Sequence, residues 1–403
     1  MIWARETPTG GWLRPKLQID ARMRAALRGV WMAMAGLGLA VIMADPSDAA
    51  WTNLSFADLP GWESDAHGET LAVFQRSCQA LTERETTLEN QTLKDICREA
   101  LSFGEDVTDG VARSFFERRF RPEPITDGAN ETGLFTGYFE PQIIASPTKS
   151  AHYAVPLRAA PVDLISLNNK PRPKGIRADF THALQQDNMV KALPDRLAIE
   201  AGALDDLAPA IAWLQSPVDA FFLHIQGSGQ LIYPDGTVHR VSYAGKNGHP
   251  YTSIGKVLVD TEVMALEEVT MQSLRAWLEA DLERAVNLMG ENRSYIFFRA
   301  TGDTNPDLGP IGQQGVPLTA GRSLAVDLAH HTTGSLFWLE TRVPSPDGEA
   351  EHAFSRLMVA QDTGSAIKGR IRGDIFFGSG EDAGNRAGRM QAQGRLVALV
   401  PRP

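Results

Sequence analysis

Residues 362–380 read DTGSAIKGRIRGDIFFGSG, a dense polar cluster set inside apolar, strand-like sequence. Two aspartates, Asp362 and Asp374, enclose three cations within thirteen residues. Charged side chains are seldom fully buried unless they are paired, so such a cluster is unusual for core strands. The stretch predicts either a catalytic site or a set of turn and ion-pair residues.

Asp374 is the candidate catalytic acid. The apolar run Ile375 to Phe377 follows it, and burial raises the pKa of a carboxyl group so that it stays protonated near neutral pH. General acid catalysis of glycosidic cleavage needs such a group. Arg370 and Arg372 fall on the same strand face and would lower the pKa of Asp374 by pairing. We expect burial to prevail, and we expect Asp362, set among turn glycines, to be ionised and structural.

The sequence around this stretch is all-β over the last hundred residues. Apolar, β-prone runs separated by glycines predict a small closed barrel. These runs span 335–343, 353–360, 366–377 and 395–400.

Strand and helix signals alternate in the middle of the chain. LFTGYF at 134–139 and YIFFR at 295–299 are typical of strands. Over 219–243, two strand-like runs, FFLHIQGSGQLIY and TVHRVSYAG, surround the turn at 234–236, which predicts a β-hairpin. Two amphipathic helices are predicted over 262–289.

Residues 67–120 predict helices, because their apolar residues recur at helical spacing. Cys78 and Cys97 are the two cysteines of the chain, and each falls on the apolar face of one of two consecutive helices. In an exported chain, an isolated pair is typical of a disulfide. We therefore expect a structural Cys78–Cys97 bridge.

Residues 1–50 predict a cleavable signal peptide rather than part of the fold. Basic residues precede an uncharged, mostly apolar run at 29–44, which is shorter than the ~20 residues of a membrane-spanning helix. Small residues at 47–50 suit signal-peptidase cleavage, and an uncleaved N-terminal anchor is the alternative. No cysteine directly follows the apolar run, so we expect a periplasmic protein without lipidation there. Association with the outer membrane stays open.

The composition is that of a folded globular protein: 403 residues, 43% hydrophobic and 22% charged, enough for two domains. A net charge of −10 argues against nucleic-acid partners. Two cysteines cannot build a zinc site alone, and no histidine pair has zinc-ligand spacing. The glycine-rich stretch 312–321 lacks the lysine of a phosphate-binding loop. We expect no metal and no cofactor.

Six ordered segments resemble the membrane-bound lytic murein transglycosylase A family over about residues 134–400. They are FTGYFEP (135–141), LHIQGSGQL (223–231), YAGKNGHPYTSIGK (243–256), NRSYIFFR (292–299), GVPLTAGRSLAVD (315–327) and DTGSAIKGRIRGDIFFGSG (362–380). The C-terminal part resembles the three-aspartate domain that this family shares with other cell-wall proteins. Its three aspartates correspond to Asp327, Asp362 and Asp374.

The resemblance implies a mainly β fold with N-terminal helices. A double-psi β-barrel domain would be joined by a second, inserted β-barrel domain, with a glycan groove between them. Residues 51–141 would supply the helices and the first part of the double-psi barrel. Residues 142–300 would form the inserted domain, and 301–403 the three-aspartate domain that completes the barrel.

The resemblance also assigns roles to residues. Asp374 would be the catalytic residue, and Asp327 a structural one. The substrate-binding residues would be Thr136, Tyr138, Gln226, Ser228, Lys246, Asn247 and Asp362. Members named as membrane-bound carry a lipidated cysteine, which is absent here.

The implied reaction cuts the β-1,4 bond between MurNAc and GlcNAc in peptidoglycan strands, the expected partner. Asp374 would protonate the glycosidic oxygen, and the C6 hydroxyl of the same MurNAc would capture the anomeric carbon to give a 1,6-anhydromuramyl end. Because this nucleophile is intramolecular, one carboxyl group suffices. Two alternatives stay open: a hydrolase in which Asp362 helps to activate water, and a non-catalytic protein that binds cell-wall polysaccharide. The sequence does not identify any protein partner in the cell envelope.

Overall fold

The structure, a computed structural model, describes residues 54–83, 91–104, 106–167, 173–187, 189–302, 308–347 and 350–402. The predicted signal peptide over residues 1–50 lies outside these ranges. Within them, no helix has both the length and the apolar character needed to cross a membrane.

Three helices come first: α1 (His67–Glu83), α2 (Gln91–Ser102) and α3 (Asp109–Arg119). A disulfide between Cys78 and Cys97 joins α1 to α2, with 5.1 Å between the two Cα atoms. The ring of Phe74 in α1 packs against the rings of Phe115 and Phe116 in α3. The predicted helices and the predicted disulfide are both confirmed.

The chain then forms β1 (Phe120–Pro124) and β2 (Gly133–Glu140) before it enters a second group of elements. The strands of this group are β3 (Gln142–Ser146), β4 (Val155–Arg158), β5 (Leu164–Ser166), β6 (His182–Gln186), β7 (Met189–Lys191), β8 (Ala210–Leu214), β9 (Ser228–Ile232), β10 (Val238–Lys246) and β11 (Ile296–Thr301). Its helices are α4 (Arg196–Glu200), α5 (Pro217–Gln226), α6 (Ile254–Asp260), α7 (Met271–Glu279) and α8 (Leu282–Glu291).

Strands β11, β10, β9, β3, β8 and β4 form a six-stranded sheet in that order. A parallel bridge between Ala159, just after β4, and Phe298 in β11 brings its two edges together. Strands β5, β6 and β7 form a separate three-stranded sheet. The predicted hairpin at 234–236 is confirmed as the turn between β9 and β10. This group is the second β domain.

The C-terminal elements are β12 (Ser323–Val326), β13 (Leu336–Pro344), β14 (Glu351–Asp362), β15 (Gly373–Ser379), α9 (Gly380–Arg389) and β16 (Gln391–Pro401). Strands β16, β13, β14, β12, β15 and β2 lie side by side, and β2 pairs again with β16, so the six strands close into a barrel. The β12–β14 and β15–β2 pairs are parallel. Strand β2, which precedes the second domain in the chain, therefore completes a barrel built from the C-terminal strands.

Two predicted strand segments are wrong. The run FFLHIQ belongs to α5, which begins after Ser216, whose hydroxyl accepts from the backbone N–H groups of Val218 and Asp219, and ends at Gly227 with φ of 79°. The helix is apolar on most sides because it is buried between two hydrophobic clusters. The second segment, 366–372, forms a turn, and β15 begins only at Gly373.

Glu140 joins the barrel to the second domain at the end of β2. Its buried carboxylate accepts from Arg240 Nε at 2.7 Å and from Gln230 Nε2 at 2.8 Å, both in the second domain. Ser379 of β15 donates to the same carboxylate at 2.7 Å. A buried ion pair that is also hydrogen-bonded to its neighbours fixes the position of the groups around it. The relative placement of the two domains at this point is thus held by polar contacts.

Candidate active site

Asp362 and Asp374 lie on one row of the barrel. Ala325 in β12 pairs with Asp374 of β15 on one side and with Asp362 of β14 on the other. Asp374 in turn pairs with Thr136 of β2. We call Asp362, Ala325, Asp374 and Thr136 the carboxyl row. Since neighbouring strands are ~4.8 Å apart, the two aspartate Cα atoms are separated by roughly 10 Å.

The carboxyl row faces away from the main core of the barrel. Leu324 and Ile375, which alternate with Ala325 and Asp374 along their strands, belong to the large core cluster. Ala325 belongs instead to a small cluster with Tyr138 and other apolar residues. Because successive side chains of a strand point to opposite faces, Asp374 shares the side of Tyr138 rather than that of Ile375.

Asp374 is held by two donors that meet at one oxygen. Arg372 Nη1 donates to Asp374 Oδ1 at 2.5 Å, and the Thr136 hydroxyl donates to the same Oδ1. Arg372 Nη2 also donates to Thr136 Oγ1 at 2.8 Å. Burial raises the pKa of Asp374, but the charge of Arg372 and the Thr136 hydroxyl outweigh it, and the pKa lies below its ordinary value. Our expectation that burial would prevail at Asp374 is wrong.

Asp362 has the opposite character. Its Oδ1 accepts from the backbone N–H of Gln313 at 2.9 Å. Burial raises the pKa of Asp362 to about 6, against the smaller opposing effects of backbone N–H groups and the Tyr138 hydroxyl, and the charge of Asp374 adds to the rise. The expectation that Asp362 would be the readily ionised carboxyl is therefore also wrong. The Tyr138 hydroxyl lies near both carboxyl groups: burial, then the charge of Asp362 and that of Asp374, raises its pKa well above the ordinary value.

A cleft of about 820 Å³ opens beside this row and is lined by both domains. The predicted residues Gln226, Ser228 and Lys246 line it from the second domain, and Asp362 and Asp327 line it from the barrel. The remaining predicted site residues, Thr136, Tyr138, Asn247 and Asp374, are buried. The structure thus brings most of the predicted residues to one cleft or to the layer next to it.

The second domain presents a polar row of its own to the cleft. Ser228 of β9 pairs with Ser242 of β10, which pairs with Arg299 of β11, and all three residues line the cleft. Ser242 Oγ is buried and has no hydrogen-bond partner among the described residues. Ser242 and Arg299 are not among the residues predicted from the sequence. Ser242 could have been found, because the predicted hairpin places it opposite Ser228 on the neighbouring strand.

Two of the predicted residues hold loops in place. The side chain of Asn247 donates to the backbone carbonyls of Pro194 and Arg293, both at 2.9 Å, and accepts from the N–H of Tyr295 at 2.9 Å. Asp327 accepts from the backbone N–H groups of Gly369 at 2.9 Å and Ala329 at 3.1 Å. Asp327 therefore holds the loop that leads from Asp362 to β15 through the N–H of Gly369.

Comparison with known proteins gives two domain matches. Residues 134–299 match the MltA specific insert domain, and residues 322–400 match the 3D domain. Both aspartates of the carboxyl row lie in the second match.

Relatives extend this likeness over most of the chain. The membrane-bound lytic murein transglycosylase A of Escherichia coli K12 is 35% identical over 283 residues, which are 69% of this chain and 68% of the relative. The crystal structure of the membrane-bound lytic murein transglycosylase from Agrobacterium tumefaciens has a TM-score of 0.75 and 34% identity, covering 87% of this chain and 97% of that chain. MltA of E. coli with bound chitohexaose has a TM-score of 0.61 and 28% identity, covering 83% of this chain and 90% of that chain. The chain therefore belongs to the membrane-bound lytic murein transglycosylase A family.

Proposed function

We propose that this chain is a lytic transglycosylase that cuts peptidoglycan strands between MurNAc and GlcNAc and leaves 1,6-anhydromuramyl ends. The E. coli relative is named a lytic murein transglycosylase, and a structure of E. coli MltA holds chitohexaose, a β-1,4-linked oligosaccharide. The observation that carries the proposal is the pair of carboxyl groups, Asp362 and Asp374, on one barrel row beside a cleft between two β domains.

Asp374 is the acid and base of the proposed reaction. Arg372 and Thr136 donate to its Oδ1 and fix the orientation of the carboxyl group, so the catalytic proton would be carried by Oδ2. Asp374 gives this proton to the glycosidic oxygen and then takes a proton from the C6 hydroxyl of the same MurNAc, which closes the anhydro ring. The proton count balances, and no water is consumed.

The proton is supplied by the pair rather than by Asp374 alone. With the pKa of Asp374 lowered and that of Asp362 at about 6, a single proton on the pair resides mainly on Asp362 below that pH. The Tyr138 hydroxyl lies near both groups. A bound glycan chain, which excludes water and carries no charge at the glycosidic oxygen, favours the protonated form of Asp374.

The cleft is the proposed glycan groove. Gln226, Ser228 and Lys246 offer hydrogen bonds to sugar hydroxyl and acetamido groups, and Asp362 lines the groove beside the catalytic pair. Thr136, Tyr138 and Asn247 act from the buried layer: Thr136 and Tyr138 through the two carboxyl groups, and Asn247 by holding the loops of the second domain.

The decisive experiment is mass spectrometry of the products that the purified protein releases from peptidoglycan. Anhydromuramyl ends are expected. Reducing ends would identify a hydrolase instead, a possibility that the raised pKa of the cleft-lining Asp362 makes worth testing. Binding of sacculi without release of any fragment would identify a polysaccharide-binding protein and overturn the proposal.

We also propose that the chain acts in the periplasm after export by a signal peptide over residues 1–50. The domain boundaries at 141 and 300 would then divide the exported chain into the barrel and its inserted domain. Sequencing the N-terminus of the protein from the periplasmic and outer-membrane fractions tests this, and a start at Met1 would contradict it.

A further inference from the structure

Lysines from the two domains face the same cleft. Lys246 ends β10 in the second domain, and Lys368 lies in the barrel loop between Asp362 and β15. Both residues line the cleft. Their charges are close enough to repel each other: burial, then the charge of Lys368, lowers the pKa of Lys246.

The charge of Lys246 is not balanced within the described part of the chain. Its ammonium group makes neither an ion pair nor a hydrogen bond with any described residue, although the side chain is partly buried. Lys368 is mostly exposed and forms an ion pair with Asp327, with 3.4 Å between Nζ and Oδ1, so the uncompensated charge at this end of the cleft is that of Lys246. A partly buried cation without a counter-charge is costly, so such a group indicates a site for an anionic ligand.

The other titratable groups at this end of the cleft do not supply the anion. Burial, and then the charge of Lys246, lowers the pKa of His182 to about 4, so this ring is neutral at working pH. The carboxyl group of Asp362 bonds to the backbone of Gln313 and lies near Tyr138. The protein as a whole carries a net charge of −10, so a surplus of cations at the cleft is a local feature and not a consequence of composition.

We propose that Lys246 and Lys368 form a binding site for a carboxylate of the substrate. This inference rests on the proposed function and names a feature of its substrate. In peptidoglycan the carboxylate has two possible sources, the lactyl group of a MurNAc without a peptide and the carboxylates of a peptide stem. Two ammonium groups from opposite domains would hold either one and place the glycan chain along the cleft.

The test measures binding by calorimetry with the full chain carrying Asp374→Asn, so that the glycan is not cleaved. The probes are stem-free glycan oligosaccharides, the same oligosaccharides with their lactyl carboxyls converted to methylamides, and stem-bearing oligosaccharides. We expect at least one carboxylate-bearing probe to bind about tenfold more tightly than the methylamide, as one charge-assisted contact would give. Adding Lys246→Met or Lys368→Met should remove this preference.

The matched control is Lys256→Met on α6, an exposed lysine paired with Asp260 that changes the net charge equally. It should keep the preference. A preference for stem-free over methylamide probes assigns the site to the lactyl group, and a preference confined to stem-bearing probes assigns it to the stem. Equal binding of all probes, or a preference that survives both lysine substitutions, would overturn the inference. Failure of the proposed function shows separately, as absence of anhydro products from the unsubstituted protein.

Discussion

Asp362 and Asp374 occupy the same barrel row, one on each side of β12, yet their pKa values move in opposite directions. Both are removed from water by neighbouring groups, and burial raises the pKa of each. The difference lies in the neighbouring groups. The cation Arg372 and the hydroxyl of Thr136 bond to Asp374, whereas Asp362 has backbone N–H groups and the phenol of Tyr138 nearby. The charge of Arg372, the largest of the effects that lower the pKa of Asp374, thus helps to separate the carboxyl pair into an ionised member and a proton-holding member.

The two aspartates also contribute to stability with opposite signs. Asp374, with a lowered pKa in the folded state, stabilises the fold above the ordinary value of 3.8, and this contribution is lost as pH falls through the lowered pKa. Asp362, with its pKa raised to about 6, favours the folded state in acid, and that contribution is lost as pH rises from about 4 to about 6.

Replacing Asp374, the ionised member of the pair, should have the largest effect on the rate of cleavage. Asp374→Asn should lower the rate of anhydro-product release at least ~100-fold, because general acid catalysis is lost. The fold should persist with a lower melting temperature, since Arg372 loses its counter-charge but its Nη1 still donates to the carbonyl of Gly373 at 2.6 Å. Product release followed by mass spectrometry, with a thermal melt as control, checks this. Near-normal activity would remove Asp374 from the mechanism.

Removing Arg372 should make the pKa values of Asp374 and Asp362 more alike. Arg372→Met leaves the buried carboxylate of Asp374 without its partner, so we expect its pKa to rise and the free energy of unfolding to fall by ~3–5 kcal/mol at neutral pH. This loss of unfolding free energy should become smaller in acid, where Asp374 is protonated. Urea unfolding at several pH values measures both effects.

Arg370→Met is the matched control for that experiment. Arg370 is exposed, and its Nε donates to the backbone carbonyl of Thr126 at 3.2 Å. Replacing Arg370 should lower the free energy of unfolding only slightly, and by a similar amount at every pH. If the two arginine variants were equally unstable at every pH, the Arg372–Asp374 pair would not be what distinguishes the two carboxyl groups.

Replacing Asp362, the proton-holding member of the pair, should move the pH profile of kcat/KM. In the unsubstituted protein, kcat/KM should fall as pH rises through about 6, because the pair then loses its proton. In Asp362→Asn, Asp374 must hold the proton alone with a lowered pKa, so this alkaline limb should move below pH 6. Asp327→Asn should keep the limb near 6, since Asp327 already has a lowered pKa. An unmoved limb in Asp362→Asn would show that Asp362 does not hold the proton.

The sequence predicts which aspartates matter better than it predicts their protonation. Ile375 and Phe377 follow Asp374 in the chain, but they belong to the main core, because alternate strand residues face opposite sides. The residue that sets the pKa is Arg372, two positions earlier, and its competing effect was visible in the pattern. What the sequence cannot show is the third participant, Thr136, which is 238 residues away.

The same limit applies to the contacts between the domains and to α5. Glu140 and Arg240 are separated by 100 residues, and no local pattern pairs them. The run FFLHIQ is apolar whether it is a buried helix or a buried strand, so periodicity alone does not decide. Ser216 and Pro217 before it are an N-terminal helix signal that outweighs its β-prone composition.

The smallest effect on cleavage is expected far from the carboxyl row, at the Cys78–Cys97 disulfide. Removing it should lower the free energy of unfolding by ~3 kcal/mol in the chain-entropy model. The helix that carries Cys78 does reach the site: Gln361 Nε2 donates to Ser77 Oγ at 2.8 Å, and Gln361 precedes Asp362 in β14. These contacts are buried and do not involve the sulfur atoms, so they should persist below the melting temperature. Cys78→Ser combined with Cys97→Ser should therefore melt earlier, release the same anhydro products, and keep the alkaline limb near pH 6. A limb that moved with the disulfide would show that α1 helps to set the pKa of Asp362.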